Sequence, residues 1–374
     1  MNSIDFRHQL HQFPELSMNE YDTAARVVDF MTPLQPDQLI PSLGGTGVAV
    51  IFGADGGKSV MLRCELDALP IIELNEFPHK SQCHGVSHKC GHDGHMAILA
   101  AVAKHYSVNR PANGQVILLF QPAEETGEGA KAVLTDKAAP SLTADYVFAL
   151  HNVPKFKMGE VIIKSGTMCC ASRGVTIRFE GKTAHAAQPE TGVSPVKAIY
   201  QLLPQIEQLP QLINSQSPYT FATVVGMSVG EKAFGTAPSL GEIYLTLRSE
   251  SDGEMAQLVD FIESQAGKLA KAYGLLVNIS YEDVFNATVN NEHAVSIVKQ
   301  ALNDEPVTIT ETPFRWSEDF GEFTKRYGGA LFGLGAGLET PDLHNGDYDF
   351  PDQLIDTGSR YFIKIVDTVL AQTQ

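Results

Sequence analysis

Three apolar runs constrain the fold of this chain more than anything else in it. SVMLRCEL (59–66), QVILLFQP (115–122) and YVFALHNVP (146–154) are nearly uninterrupted by polar residues. A strand with one wet face alternates apolar and polar residues. A continuous run of this length suits a strand covered on both faces, as in a mostly parallel sheet layered between helices. GVAVIF (47–52) adds a strand, joined to the first run across the turn-rich GADGGK. EYDTAARVVDFM (20–31) reads as an amphipathic helix, and DGHMAILAAVAKHY (93–106) as a helix with Asp93 as candidate N-cap. Each of the three runs hands over to polar chemistry: Asp67 after the first, Glu124 and Glu125 after the second, His151 at the end of the third. Open α/β sheets carry their sites at the carboxyl ends of strands, so one shared pocket is expected.

The middle of the chain changes character. GVTIRFEGK (174–182) is strand-like, and SPVKAIYQLLPQIEQL (194–209) is helical with an interruption expected near Pro204. YTFATVVGMSVG (219–230) and SLGEIYLTLRS (239–249) alternate like antiparallel strands. DGEMAQLVDFIESQAGKLAKAYG (252–274) is a long amphipathic helix stopped by Gly274, and LLVNISYEDV (275–284) is a further strand. The order βαββαβ is a ferredoxin-like split unit. The expected organisation is therefore a discontinuous α/β domain, 1–172 and 285–374, interrupted by an inserted domain at 173–284. ALFGLGAG (330–337) supplies a late strand and glycine-rich loop to the first domain.

Composition narrows the function classes. With 43% hydrophobic residues the 374-residue chain can build real cores, and its formal net charge is −17. That charge argues against nucleic acid and anionic membrane surfaces as main partners, while leaving room for an anionic small substrate at a local cationic site. MNSIDFRHQL has no basic stretch followed by an apolar core, so no signal peptide is expected. Nor does any window approach the roughly 18 apolar residues of a membrane span. Five cysteines are sparse and odd in number, and a reduced cytoplasm fits them best. GGTG (44–47) lacks the spacing of a phosphate loop, so no nucleotide is assigned to it.

HKCGHDGHMA (88–97) crowds three imidazoles, a thiol and a carboxylate into ten positions. Three readings compete. A structural zinc site favours four closed ligands, commonly from paired Cys-x-x-Cys elements, and none is present. A thiol nucleophile at Cys90 would gain from the helix N-terminus that follows. A catalytic metal explains more. Cys90 and His92, two apart, can both aim at one cluster from a turning segment. Further donors wait in QPAEE (121–125), ALHNVP (149–154) and DLHNGDYDFPD (342–352). Adjacent carboxylates at 124 and 125 suit a division of labour, one on metal and one free as a base.

Taken together, LHQFPELSMNE, MLRCELDALPI, HKCGHDGHMA, QPAEE, ALHNVP, GKTAHAAQP, SEDFG and LHNGDYDFPD resemble, in order and across nearly the whole chain, the aminoacylase/carboxypeptidase family of dinuclear metal amidohydrolases. The branch of hippurate and indole-acetyl-amino-acid hydrolases is the nearest in appearance. The resemblance implies a zinc-peptidase-like catalytic domain with an inserted lid and dimerisation domain. It implies two divalent ions, zinc, manganese or possibly cobalt or nickel, held by Cys90, His92, Glu125, His151 and His344. Glu124 would be the general base, and Asp67 would orient the ligand set. Asp93 and His95 would either assist similarly or serve as a helix cap and a packed first-turn histidine.

In the inserted domain, His185 would polarise the substrate carbonyl, often in the partner subunit of a homodimer. Arg248 would grip a substrate carboxylate, with a solvated strand residue as the alternative. Lys182 is expected to face solvent. The implied reaction is hydrolysis of an N-acyl amino acid or small peptide-like amide. A cysteine-dependent hydrolase built on Cys90, or a non-catalytic metal- or ligand-binding relative, are the alternatives. Two departures stand out: Glu65 where many relatives carry Asp, and Gly235 in GEKAFGTAP (230–238) where an Asn is expected.

Overall fold

The computed structural model describes residues 1–54, 56–139 and 142–371. The chain forms two compact units. The first comprises Met1–Met168, Thr288–Pro313 and the residues from Glu318 onward. The second comprises Cys169–Ala287 and Phe314–Ser317.

The first unit is built on an eight-stranded sheet. Its order is Gln38–Leu43, Gly47–Ala54, Gly114–Gln121, Ser59–Glu65, Tyr146–Val153, Gly328–Gly335, Val161–Ile163 and Val307–Ile309. Ser59–Glu65 runs parallel to both Gly114–Gln121 and Tyr146–Val153, and Gly328–Gly335 runs parallel to Tyr146–Val153. The three long apolar runs are thus parallel neighbours, and their carboxyl ends share one edge. Phe52, Val60, Leu62, Phe120 and Phe148 are fully enclosed in the core, each worth about 1.5–3 kcal/mol on leaving water. Gly47–Ala54 pairs antiparallel with Gly114–Gln121, which lies between it and Ser59–Glu65.

The helix His92–Val108 is buried almost all round, including Met96, Ile98, Leu99, Val102 and Ala103. It packs against the sheet as well as the helices Ser3–Gln12 and Gln353–Leu370, which explains its lack of a polar face. Its N-cap is Gly91 rather than Asp93, which lies inside the first turn and is wholly buried.

The second unit has a four-stranded sheet ordered Phe221–Val229, Leu240–Ser249, Ala171–Glu180, Leu276–Phe285, antiparallel throughout. In chain order that is 2-3-1-4, the ferredoxin-like arrangement. Gly241, Ile243, Leu245, Leu247 and Ser249 point inward at period two. Helices Val196–Glu207 and Asp252–Tyr273 pack together over this sheet. The second helix begins with Ser251 Oγ accepting the Glu254 N–H at 3.2 Å and stops at Gly274, φ +68°. Pro204 does not interrupt the first: Val196–Glu207 is continuous through it. The proline leaves the Tyr200 carbonyl without its helical donor, but Tyr200 lies on the wet side, 75% exposed. No helix among the described residues is long and apolar enough to cross a membrane.

Candidate metal centre and active site

The site is assembled at the shared strand edge of the first unit. Cys90 and His92 flank Gly91, whose φ is +95° and whose missing Cβ would fall 2.6 Å from the Asn152 amide. Only glycine makes this turn beside Asn152, and the turn brings thiol and imidazole to one place. Interlocking groups of donors, their ligand atoms within 4.8 Å of one another, are Cys90–His92–His151, Cys90–Glu125–His344 and His92–Glu124–Glu125. All five expected ligands and Glu124 therefore meet in one cluster. Glu65–His92–His95 and Glu124–Glu318–Asp319 extend it.

Two of the histidines, His92 and His151, are oriented from behind. His92 Nδ1 lies 2.9 Å from the Asp67 carbonyl oxygen and 3.4 Å from Asp67 Oδ1. His151 Nδ1 lies 2.9 Å from the Asn152 carbonyl oxygen. A proton held on Nδ1 leaves the Nε2 lone pair facing the cluster, the tautomer a metal ligand needs. His151 Nε2 sits 3.4 Å from Cys90 Sγ, and His92 Nε2 is 3.8 Å from Glu124 and 3.9 Å from Glu125. His344, with φ +64° and a half-exposed side chain, reaches to 3.8 Å from Glu125 Oε2. Its own N–H donates to the Lys89 carbonyl at 2.8 Å, which ties the late loop to the segment carrying Cys90.

The electrostatics of this cluster are unbalanced. Burial, then Glu125, Glu124 and Glu65, pushes the Cys90 thiol well up. Burial and the neighbouring carboxylates Glu318, Glu125 and Asp319 push Glu124 well up. Burial pushes Glu125 to about 7, although His92 pulls the other way. Burial alone would depress His92, but its hydrogen bond to Asp67 and the charges of Glu65 and Glu125 raise it to about 10. His151 is held well below its usual range by burial and by His95. His92 Nε2, Asp67 Oδ1 and Glu125 Oε1 are buried with no hydrogen-bond partner among the described residues. Orphaned donors of these types around one point fit soft-to-borderline divalent cations, and a thiolate among them disfavours magnesium.

Asp67 is buried and shared. Its Oδ2 accepts from Ser17 Oγ at 2.7 Å and from the Glu125 N–H at 3.0 Å. Asp93 is not the cap: Arg7 Nε at 2.8 Å and His11 Nδ1 at 2.9 Å bind its Oδ2. His95 Nδ1 lies 2.6 Å from Glu65 Oε2, so the unusual Glu65 holds this histidine, and Nε2 accepts the Asn152 N–H at 3.3 Å.

Sequence reasoning missed the ionic scaffold around the site. Arg63, inside a core strand, binds Glu65, Glu318 at 2.7 Å and Asp319 at 2.6 Å, all buried. His11 Nε2 and Lys89 Nζ close on Glu73 Oε1 at 2.9 and 2.5 Å. A charged residue inside an apolar run, as in SVMLRCEL, was the available signal.

In the second unit, His185 is exposed on the short strand Ala184–His185, opposite Thr236. Arg248 donates to Ser317 Oγ at 2.8 Å and to the Arg315 carbonyl at 3.2 Å, and pairs with no carboxylate among the described residues. Gly235 has nothing within 4 Å of where a Cβ would stand. Lys182 is exposed.

Residues 61–368 match the model of Peptidase family M20/M25/M40. The chain belongs to this family. It is a metal-dependent hydrolase of amide bonds. Among its relatives, the hippurate hydrolase of Campylobacter jejuni is 31% identical over 96% of this chain and 94% of its own. The N-acetyl-L-cysteine deacetylase of Bacillus subtilis is 30% identical over 93% and 81%. A crystal structure of a dinuclear metal binding M20 peptidase from Bacillus subtilis superposes with a TM-score of 0.82 at 23% identity, covering 99% of this chain and 98% of that one. That likeness extends the family assignment to the fold of both units.

Proposed function

We propose that this M20 hydrolase cleaves N-acyl amino acids into a carboxylic acid and an amino acid. Cys90, His92, Glu125, His151 and His344 are its ligands for two divalent ions, and Glu124 is its general base. One observation carries the assignment of the base. Glu124 stands in the donor cluster, 3.8 Å from His92 Nε2, and also lies against Glu318 and Asp319, whose charges together with burial favour its taking a proton.

Bound divalent ions supply a Lewis acid for the amide carbonyl and bring the acidity of a water molecule near neutrality. Glu124 takes the proton from the attacking water and returns it to the leaving nitrogen. Asp67 holds the His92 tautomer and, through the Glu125 N–H, the position of the carboxylate pair. Zinc or manganese suits the mixed thiolate, imidazole and carboxylate set, with cobalt or nickel as substitutes.

In the second unit Arg248, without a carboxylate partner among the described residues, is the residue offered to the substrate carboxylate. His185 is the residue offered to the carbonyl oxygen, across a homodimer formed through this unit. The absence of an amide side chain at Gly235 shifts acyl preference rather than chemistry. No disulfide joins the five cysteines, which suits a reducing cytoplasm. A thiol-nucleophile mechanism is not favoured: Cys90 is buried among carboxylates that hold its proton on.

The test is a panel of acetyl, benzoyl and indole-acetyl amino acids. Wild-type protein hydrolyses at least one. Glu124→Gln retains its fold and metal but loses about 10²–10⁴-fold in kcat. An unchanged kcat in that variant removes Glu124 from the mechanism.

A further inference from the structure

Glu20 is a buried carboxylate with no cation beside it among the described residues. It occupies the N-cap position of the helix Tyr21–Met31, yet its side chain does not cap that helix. Another glutamate does so: Glu15 accepts the Asp22 and Thr23 N–H groups at 3.2 and 2.7 Å and the Thr23 hydroxyl at 2.8 Å. The Glu20 carboxylate is instead turned to a residue 103 positions later, accepting the Ala123 N–H at 2.8 Å. Its remaining oxygen accepts the Thr46 hydroxyl at 2.7 Å, and the Met18 N–H adds a third bond at 3.0 Å.

Ala123 is an unusual target. It is fully buried, precedes Glu124 and Glu125 directly, and has φ +47°, the left-handed region that an alanine rarely adopts. The turn it starts is pinned further on: the Gly127 N–H donates to the Glu124 carbonyl at 2.8 Å, and Gly129 to the Ala123 carbonyl at 3.0 Å. The Glu125 N–H is held by Asp67, itself held by Ser17. Two acceptors thus fix the backbone of the carboxylate pair, and residues 15–20 control both.

We infer that Glu20 is a positioning residue for Glu124 and Glu125, holding the left-handed turn at Ala123 that aims one carboxylate at metal and leaves the other free. The inference rests on the roles proposed for that pair. A carboxylate is suited to the task because it has acceptors on both oxygens. Glutamine retains one accepting oxygen for the Ala123 and Met18 N–H groups and presents its amide to Thr46, whose hydroxyl can turn to accept.

The test compares wild type, Glu20→Ala, Glu20→Gln, Thr46→Val and Glu124→Gln as full chains, stripped by chelation and refilled with manganese alone. Manganese retention, kcat and KM are measured separately. Glu20→Ala is expected to lower both kcat and manganese affinity about 10–100-fold, with KM within about threefold and Glu20→Gln restoring most of the loss. Thr46→Val, which leaves the Ala123 contact in place, should lower kcat about two- to fivefold, and it carries the test if Glu20→Ala does not fold.

Wild-type kcat and manganese affinity in Glu20→Ala, or wild-type kcat in Thr46→Val when the alanine variant is unfolded, overturns the inference. If Glu124→Gln keeps full turnover, the base assignment fails separately. Manganese affinity of Glu20→Ala then decides the inference alone: weakened supports it, unchanged overturns it.

Discussion

Two buried clusters of carboxylates in the first unit are compensated in opposite ways. Around Arg63, the carboxylates Glu65, Glu318 and Asp319 close on one guanidinium. Around Cys90, the thiol, Glu124, Glu125 and Asp67 meet imidazoles, but His92 Nε2, Glu125 Oε1 and Asp67 Oδ1 find no hydrogen-bond partner among the described residues. Burial costs both clusters several kcal/mol per charge. The first meets that cost with an arginine from its own strand. The second is left open, and openness of this kind is what a metal-binding site requires. Arg63 stabilises the edge on which the second cluster is presented, so the comparison separates residues that hold the frame from residues that do the chemistry.

Removing the internal cation is the most damaging way to break this contrast. Arg63→Met takes the one guanidinium away from Glu65, Glu318 and Asp319 and is expected to cost about 3–5 kcal/mol in urea unfolding of the metal-free protein. Adding Glu318→Gln should return part of that loss, since the two positions are coupled. Equal stability of Arg63→Met and wild type would show that the guanidinium does not hold this cluster.

A second ionic knot sharpens the comparison through pH. Burial would raise the Glu73 carboxyl, but hydrogen bonds from His11 and Lys89 bring it down to about 2. A depressed folded-state pKa gives stability that is complete above the ordinary value of 4.5 and disappears as pH falls from there toward 2. Glu73→Gln should therefore flatten the acid limb of a stability profile between pH 4.5 and 2. An unaltered acid limb would remove Glu73 from the account.

The weakest effect is expected where water surrounds the ions. Lys364 pairs with Asp304 at 2.9 Å and Glu305 at 2.8 Å on the surface. Lys364→Ala should lower the thermal unfolding midpoint far less than Arg63→Met does. A larger loss in thermal unfolding would mean that exposure is a poor guide to the worth of an ion pair here.

Much of this architecture was legible in the sequence, and the illegible part has one cause. Apolar runs ending in Asp67, Glu124 and His151 identified strands and their functional edge, because burial on both faces writes itself as an unbroken run. The split βαββαβ order and the stop at Gly274 were legible for similar local reasons. What local pattern cannot report is who sits across the core. Asp93 looks like a cap because it opens a helix, while Arg7, its partner, lies 86 positions earlier. GADGGK looks like a link between neighbouring strands, although Gly114–Gln121 lies between them. Glu20 looks like part of a helix start, and its target is Ala123. The donor residues themselves were identifiable because thiol, imidazole and carboxylate cluster in short motifs. The residues that aim them are scattered.

The central claim is that the uncompensated cluster holds two divalent cations. Equilibrium dialysis of chelator-stripped protein against manganese or zinc, read by elemental analysis alongside hydrolysis of an N-acyl amino acid, tests it most directly. The account predicts two ions bound per chain, hydrolysis that returns with them, and loss of both in a Cys90→Ala, His92→Ala variant. Full hydrolysis by the stripped protein, or retention of two ions by that variant, would contradict it.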